Sequence, residues 1–278
     1  MCNIHQISLD PQQLPDNRGG ELPHICWSPT GPLAFLPIHA AGLYNTKEPG
    51  TKIFDYVVSS YTPTVTALLQ PAAINSSPLK LLTVAQAKYT GRKVSPLPKT
   101  KTEIDIVGSH AHSNSIECLA LEDASRTVKR VLDEMSNCNW IHLACHGKQD
   151  WSSPTKSAFI LADGDLELEE LIKHTLPHAE FAFLSACQTA TGNQKLAEEA
   201  VHLAAGMLLA GYRSVIATMW SIKDEDGPKV ADVVYAELLK DGKADYRRAP
   251  YALHHAIKKL RSEGVPFLSW MPFVHFGA

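Results

Sequence analysis

From residue 79 onward, short apolar segments alternate with segments of helical spacing, and this pattern constrains the fold more than any other feature of the sequence. The apolar segments are "LKLLTVAQ" (79–86), "SIECLAL" (115–121), "WIHLACHG" (140–147), "AEFAFLSAC" (179–187) and "SVIATMW" (214–220). Buried strands that alternate with amphipathic helices are typical of α/β proteins. The sequence therefore predicts a mainly parallel sheet flanked by helices on both faces. In such sheets, ligands bind at the carboxyl ends of the strands.

The predicted helices carry apolar residues three and four positions apart. They cover residues 123–135 with Asp123 as the N-cap, 196–212, 228–240, 249–264 and, more weakly, 101–110. One segment breaks the alternation of strands and helices. "SAFILADGDLEL" (157–168) predicts a hairpin with Asp163 and Gly164 at its turn.

The first part of the chain has a different character. Residues 1–24 form a loosely patterned leading segment, and we expect one domain over residues 25–278. Within it, residues 25–75 predict a small N-terminal subdomain of short strands, tight turns and a helix that begins near Thr62 and Pro63. Residues 76–278 then form the core with the regular alternation.

The charge balance and hydropathy exclude several classes of protein. The 278 residues include 26 basic and 29 acidic side chains, for a net charge of -3, so we expect binding to neither nucleic acid nor membranes. No apolar stretch reaches the roughly 18 to 20 residues of a membrane span. The start, "MCNIHQISLD", lacks the basic and then apolar order of a signal peptide. We therefore expect a cytoplasmic protein.

The cysteines show neither a zinc pattern nor a disulfide framework. None of the six belongs to a CxxC pair, and most lie among apolar residues: Cys2, Cys26, Cys118, Cys138, Cys145 and Cys187. In a chain of this length without a secretion signal, we expect reduced thiols.

Two predicted strands end in the same way, each with a reactive residue. "WIHLACHG" ends in His146 and Gly147, and "FAFLSAC" ends in Cys187 before the polar "QTATG". If the strands are parallel neighbours, His146 and Cys187 project into one crevice. An imidazole beside a thiol can accept its proton, and the thiolate is the nucleophile of acyl transfer. The backbone amides of Gly147 and Cys187 would then hold the oxyanion.

The pair of histidines in "WIHLACHG" also fits a metal site if the segment is helical, because two histidines four positions apart suit zinc in a helix. In a strand, His142 and His146 lie on one face but roughly 13 Å apart, too far to share an ion. Apolar and aromatic residues that end in glycine favour the strand. His142 and Cys145 are then predicted to be core residues.

Several segments together resemble the CHAT domain, a family of caspase-like and separase-like cysteine peptidases often found after tetratricopeptide repeats. These segments are "WSPTGPLAFLPIHAAG", "WIHLACHG", "SAFILADGDLEL", "FAFLSACQTATG", "EEAVHLAAGMLLAGYRSVIATMW" and "WMPFVHFG". They extend from about residue 25 to the end, and their sequences are most similar to those of CHAT domains of fungi. The resemblance implies a caspase-hemoglobinase fold, with His146 as general base and Cys187 as nucleophile. It implies no metal or organic cofactor.

The resemblance also implies partners and a substrate pocket. The substrate would be a protein or peptide, and a regulatory protein with helical repeats could act on a separate chain, in signalling or cell death. The segment "MWSIKDEDGPKV" (219–230) would hold the substrate, and the candidate contacts are Trp220, Ser221, Asp224, Asp226 and, after the His146 loop, Asp150. Asp226 is alternatively the N-cap of the next helix.

Two other functions stay open at this point. The chain could be an interaction module that keeps the fold without catalysis, or a zinc-dependent hydrolase. Labelling by a thiol probe separates the first from a peptidase, and zinc analysis of the purified protein tests the second.

Overall fold

In the computed structural model, the backbone is described for residues 21–46, 48, 50–64, 78–87, 95–148, 150, 152–185, 187–188 and 199–277. The leading segment and the helix expected after Thr62 and Pro63 therefore lie largely outside the described residues. The strands of the described part are β1 (His24–Trp27), β2 (Val58–Tyr61), β3 (Lys80–Ala85), β4 (Glu117–Leu121), β5 (Trp140–Ala144), β6 (His146–Lys148), β7 (Ala158–Ile160), β8 (Asp165–Glu167), β9 (Phe181–Leu184), β10 (Cys187–Gln188), β11 (Ser214–Thr218) and β12 (Phe273–Gly277).

Eight of these strands form one sheet in the order β1-β2-β12-β11-β9-β5-β3-β4. Neighbouring strands are parallel throughout, except that β11 and β12 pair antiparallel. The sheet thus contains a block of five parallel strands and a block of three that runs in the opposite direction. The prediction of a mainly parallel sheet is confirmed, and the N-terminal strands β1 and β2 belong to the same sheet.

A second, smaller sheet extends from the carboxyl ends of β5 and β9, in the order β10-β6-β7-β8. The predicted hairpin is present as β7 and β8, and the amide of Leu161 donates to the carbonyl of Gly164 across the turn. The segment "WIHLACHG", predicted as one strand, is divided into β5 and β6 by a bend at Cys145. This division directs His146 into the small sheet.

Helices cover both faces of the large sheet, as the alternation predicts. They are α1 (Lys99–Ser113), α2 (Val128–Met135), α3 (Leu168–Lys173), α4 (Glu199–Leu209), α5 (Asp226–Leu238), α6 (Ala249–Ser262) and α7 (Phe267–Trp270). Buried side chains of α2, α3 and α4 pack against Ile141 and Leu143 on one face. Those of α1, α5 and α6 pack with Trp140, Phe181 and Phe183 on the other. The sheet is therefore apolar on both sides.

Two predicted helix starts are wrong by a few residues. The helix expected to start after Asp123 begins at Val128 instead, and the Thr127 hydroxyl caps it by accepting from the Arg130 amide at 3.2 Å. Asp226 is the first residue of α5 rather than its N-cap, which is Glu225. Several acidic and hydroxyl residues precede each helix, and local composition does not distinguish between them. In the ranges described above, no helix combines the length and apolar character that membrane crossing requires.

Candidate active site

The backbone of Cys187 lies beside that of His146. Strands β10 and β6 pair in parallel, with Cys187 opposite His146 and Gln188 opposite Gly147. Paired strands lie about 4.8 Å apart, so the two residues are immediate neighbours across the small sheet. For Cys187 and Gln188, the structure describes the backbone.

This register continues from the large sheet. Strands β5 and β9 pair with Trp140 opposite Phe181 and Leu143 opposite Leu184. Each residue of the first strand faces the residue 41 positions later, and the same offset holds between β6 and β10. The segment from β5 to β6 bends at Cys145, and the strands on either side of the bend keep the same offset to their partners. The parallel pairing that the sequence suggested therefore extends to His146 and Cys187.

The His146 ring is held by the loop that follows β3. It is 2% exposed, and its Nε2 lies 2.7 Å from the carbonyl oxygen of Ser95. A carbonyl oxygen accepts hydrogen bonds and does not donate them, so Nε2 carries the hydrogen. In the neutral ring, Nδ1 is then the basic nitrogen. The contact with Ser95 thus selects the tautomer that carries its hydrogen on Nε2.

Gly147 occupies the middle of the small sheet. It has Gln188 on one side and Phe159 of β7 on the other. The backbone amides of Gly147 and Cys187 remain the candidate oxyanion donors.

Cys145, the other cysteine near the site, is a core residue as predicted. Its side chain is fully buried, and burial raises the pKa of the thiol to about 12, although the charge of Arg126 acts in the opposite direction. A thiol with so high a pKa stays protonated at neutral pH, and only the thiolate is a strong nucleophile. Cys145 is therefore unreactive as a base-activated nucleophile.

His142 is buried as predicted, but it lies within a polar cluster. Its Nε2 lies 3.0 Å from Oε1 of Glu103 in α1, and its Nδ1 lies 3.3 Å from the hydroxyl of Tyr235 in α5. The ring also stacks on Phe183, with the ring centroids 4.7 Å apart. The hydroxyl of Ser185 donates to the other carboxylate oxygen of Glu103, Oε2, at 3.1 Å. We call Glu103, His142, Ser185 and Tyr235 the Glu103 cluster.

Glu103 is the residue that sequence reasoning missed. A small cavity of about 10 Å³, with room for one water molecule, lies against it. A signal for Glu103 was nevertheless present, because Thr100, Glu103, Val107 and Ala111 form the buried stripe of α1 at helical spacing. An acidic residue in an otherwise inward-facing stripe indicates a buried polar contact.

Three of the predicted substrate contacts, Asp150, Trp220 and Ser221, lie in three different environments. Asp150 shapes the loop after β6, because its Oδ1 accepts from the amides of Ser152 and Ser153 at 2.9 and 3.0 Å. Trp220 is half-buried and packs against the apolar clusters on both faces of the sheet. Ser221 is exposed at the start of the loop between β11 and α5.

The two remaining predicted contacts, Asp224 and Asp226, differ in exposure. Asp224 is half-buried and lines the cavity, and its Oδ2 accepts from the Lys99 amide at 2.9 Å. Asp226 is 1% exposed, with Oδ1 3.7 Å from the Lys229 ammonium. Its Oδ2 has no hydrogen-bond partner among the described residues. Asp224 is therefore accessible to a substrate, and Asp226 is covered.

A metal site requires several ligands that converge on one point. Among the residues that the structure describes, no three or more His, Cys, Asp or Glu side chains form such a group. His142 donates towards a carboxylate or accepts from a hydroxyl, and His146 contacts a carbonyl oxygen. The contacts of both histidines with Glu103, Tyr235 and Ser95 are with protein groups.

Comparison with known proteins identifies the family. The CHAT domain model matches residues 2–278. The fold is similar to that of gingipain R, an Arg-specific cysteine proteinase, and of RgpB from Porphyromonas gingivalis with its pro-domain, both at 10% identity. The TM-scores are 0.54 and 0.55, and the match covers 94% of this chain and 64% and 66% of theirs.

Separase from Saccharomyces cerevisiae, solved in complex with securin, is also similar, with a TM-score of 0.52 at 16% identity over 81% of this chain and 14% of the separase chain. The chain therefore spans less than two thirds of the first of these proteins and a small part of separase. No curated protein matches the sequence. The fold is that of caspase-like cysteine peptidases, and the chain belongs to the CHAT domain family.

Proposed function

We propose that the chain is a cysteine endopeptidase that cleaves protein substrates through His146 and Cys187. The observation that carries this proposal is the parallel pairing of these two residues in β6 and β10. The fold it shares with a cysteine proteinase supports the same chemistry.

The tautomer of His146 suits a general base. With Nε2–H donating to Ser95, Nδ1 takes the proton of the Cys187 thiol as sulfur attacks the scissile carbonyl. The amides of Gly147 and Cys187 stabilise the oxyanion. His146 then returns the proton to the leaving amine, the C–N bond breaks, and a thioester remains. Water, deprotonated by His146, hydrolyses the thioester and releases the thiol.

Labelling with an electrophilic peptide ketone tests the nucleophile. We expect one equivalent of label on Cys187 of the wild type and none in Cys187→Ala. Cys118→Ala is the matched control, because Cys118 is a half-buried free thiol of edge strand β4 whose pKa is raised by burial. This variant should label like the wild type.

The base is tested separately by His146→Gln. We expect peptide hydrolysis to fall by roughly 10²- to 10⁴-fold, the usual contribution of a general base. Unchanged hydrolysis in this variant would contradict the role of His146. If every protein, with and without candidate activators, shows neither labelling nor hydrolysis, the chain is better described as an interaction module with a peptidase fold.

A further inference from the structure

Exposed apolar side chains cluster at one place on the surface of the described structure. Seven large apolar or aromatic side chains are exposed among the described residues, and four of them belong to two short segments. Leu43 and Tyr44 lie in the connection between β1 and β2, and Phe267 and Leu268 lie in α7. The Tyr44 and Phe267 rings are in contact, with their centroids 4.6 Å apart. We call these four residues the apolar patch. Such grouping on a surface is typical of an interaction site.

A buried indole supports the apolar patch. Trp270 is 3% exposed, and its ring centroid lies 4.9 Å from that of Phe267 and 6.2 Å from that of Tyr44. The three rings therefore pack together as one unit. Leu43 and Leu268 are 61% and 68% exposed beside this unit. Their side chains are thus available to another molecule.

Positive charges border the apolar patch and contact its rings. The ammonium of Lys52 lies 5.6 Å from the centroid of the Tyr44 ring. The guanidinium of Arg261 lies 5.3 Å from the centroid of Trp270. Aromatic faces attract cations, and these faces already have them. The patch therefore favours an apolar side chain over a further cation.

The cations at this border have few acidic partners. Lys52 and Lys258 form no ion pair among the described residues. Nη2 of Arg261 lies 3.8 Å from Oδ1 of Asp55, and Nη1 is a buried donor without a hydrogen-bond partner in the described structure. Lys258 lies three residues before Arg261 in α6, so the two residues share one side of the helix. The border is thus complementary to carboxylates.

The apolar patch lies at the same edge of the large sheet as the proposed active site. Because β12 is antiparallel to β11, its start lies beside the carboxyl end of β11. There the Met219 amide donates to the carbonyl of Pro272 at 2.8 Å, two residues after Trp270. Strand β11 also pairs with β9, which leads to Cys187. Two strand spacings of about 4.8 Å separate β9 from β12. A molecule held on the patch therefore lies beside the active site.

We propose that the apolar patch binds a segment of another protein in which leucine or aromatic side chains stand next to aspartate or glutamate. The apolar side chains of this segment cover the two leucines of the patch and pack on its rings. Its carboxylates pair with Lys52 and Lys258. This binding goes beyond the proposed peptidase function and does not depend on catalysis.

An anionic membrane suits the apolar patch less well than such a segment. Glu48 and Glu263 are exposed in the stretches that precede or follow the patch residues, and the whole chain has a net charge of -3. Membrane surfaces attract clusters of several unopposed basic residues. A membrane would present its negative charge to both glutamates, whereas a peptide carboxylate can pair with a single lysine.

Selection from a library of random peptides tests the chemistry of the partner. Phage that display short peptides are selected on the immobilised wild type after depletion on the double variant Leu43→Ser/Leu268→Ser. Because both leucines are largely exposed, we expect this variant to fold. The enriched peptides should place leucine, phenylalanine or tryptophan beside aspartate or glutamate. Enrichment of peptides rich in lysine and arginine, or of none that depends on the two leucines, would overturn the proposal.

Fluorescence anisotropy then measures the affinity of the most enriched peptide, prepared by synthesis. We expect the double variant and Lys52→Glu each to weaken binding by about tenfold, through lost apolar contact and reversed charge respectively. Lys258→Glu, at an exposed helical position, tests the same charge if Lys52→Glu fails to fold. Full affinity in the double variant or in both lysine variants would contradict the assignment.

Leu209→Ser is the matched control. Leu209 is 72% exposed in α4, and this helix packs on the face of the large sheet opposite to α6. Its replacement removes one exposed leucine far from the apolar patch, so the affinity should not change. An equal loss of affinity in this control would show that the peptide binds exposed leucines without specificity and would overturn the proposal.

Two further measurements test other occupants of the apolar patch. The wild type should stay in solution when vesicles of equal parts phosphatidylcholine and phosphatidylserine are sedimented. Analytical ultracentrifugation should give the same mass for the wild type and the double variant. Vesicle binding or self-association that Leu43→Ser/Leu268→Ser abolishes would overturn the proposal, in favour of a membrane or of a second copy of this chain.

Discussion

The Glu103 cluster and a second buried polar cluster of the described residues are each built around a histidine, but of these two only the Glu103 cluster includes a carboxylate. The second, which we call the His275 chain, runs from His24 through Ser60 and His275 to Ser214, with distances of 2.6, 2.6 and 2.8 Å. It crosses four adjacent strands, β1, β2, β12 and β11. Hydroxyl groups satisfy both ring nitrogens of His275 without supplying charge. The His275 chain therefore joins strands as a neutral structural element, whereas the Glu103 cluster brings a charge to the proposed active site.

Unfolding at acidic pH is the strongest test of whether the His275 chain is neutral in the folded protein. Burial lowers the pKa of His275 from 6.5 to about 3, and the charge of His24 acts in the same direction. The unfolded chain therefore binds this proton first, so the stability is complete above pH 6.5 and is lost as the pH falls towards 3. The expected loss is about 2 kcal/mol at pH 5 and about 4 kcal/mol near pH 3.

Urea unfolding at several pH values measures this loss, with His275→Gln as the comparison. His39 and His254 also have pKa values lowered to about 4 by burial, so the wild type should lose stability through these residues as well. Between pH 7 and pH 5, the free energy of unfolding of His275→Gln should fall by about 2 kcal/mol less than that of the wild type. If the wild type and His275→Gln lost the same amount of stability between pH 7 and pH 5, His275 would not be neutral in the folded state.

The charge of the Glu103 cluster is tested by removing its imidazole. His142→Leu leaves the buried Glu103 carboxylate without its ion-pair partner, so we expect the free energy of unfolding to fall by about 3 kcal/mol at pH 7. Adding Glu103→Gln should restore part of this loss, because the uncompensated charge is then gone. A double variant whose loss equals the sum of the two single losses would argue against a charged pair.

Removing the neutral contact of the same cluster should have a smaller effect. Tyr235→Phe deletes the hydroxyl that lies 3.3 Å from Nδ1 of His142 and keeps the aromatic ring in the core. We expect a loss of about 1 kcal/mol in urea unfolding. A loss as large as that of His142→Leu would mean that the hydroxyl, rather than the carboxylate, dominates the cluster.

The smallest effect on stability is expected for Asp105, which lies on the surface of α1, the helix that contains Glu103. Asp105 pairs with Lys101 four residues earlier, and both side chains are at least half exposed. Asp105→Asn should change the free energy of unfolding by no more than about 0.5 kcal/mol, since water and salt screen such pairs. The same measurement then provides the reference for the buried variants.

The sequence predicts the neighbouring strands well because their apolar segments are long and alternate regularly with helices. The pairing of β5 with β9, and the position of His146 and Cys187 at their carboxyl ends, follow from that pattern. The bend at Cys145 and the separate small sheet were not predicted, because the apolar character of "WIHLACHG" continues through the bend. Hydrophobic pattern alone does not locate a change of direction within an apolar segment.

Glu103 was missed for a different reason. Its partners His142, Ser185 and Tyr235 lie far from it in the sequence, and tertiary packing alone brings them together. The segment around Glu103 has weak helical amphipathicity, so the buried stripe that contains Glu103 gives only a weak signal in the sequence. By contrast, the acidic residues proposed from the loop after β11 lie close to one another in sequence, and one of them, Asp224, does line the same cavity.

The antiparallel junction in the large sheet has a consequence for synthesis of the chain. Strand β12 lies between β11 and β2, and Phe276 pairs with Tyr61. Strands β1 and β2 are made early by the ribosome but have no place in the sheet until residues 273–277 have emerged. Contacts between such distant parts of a chain form slowly, and incomplete sheets expose edges that aggregate. We therefore expect β1 and β2 to join the large sheet only after β12 has been made and lies between β2 and β11.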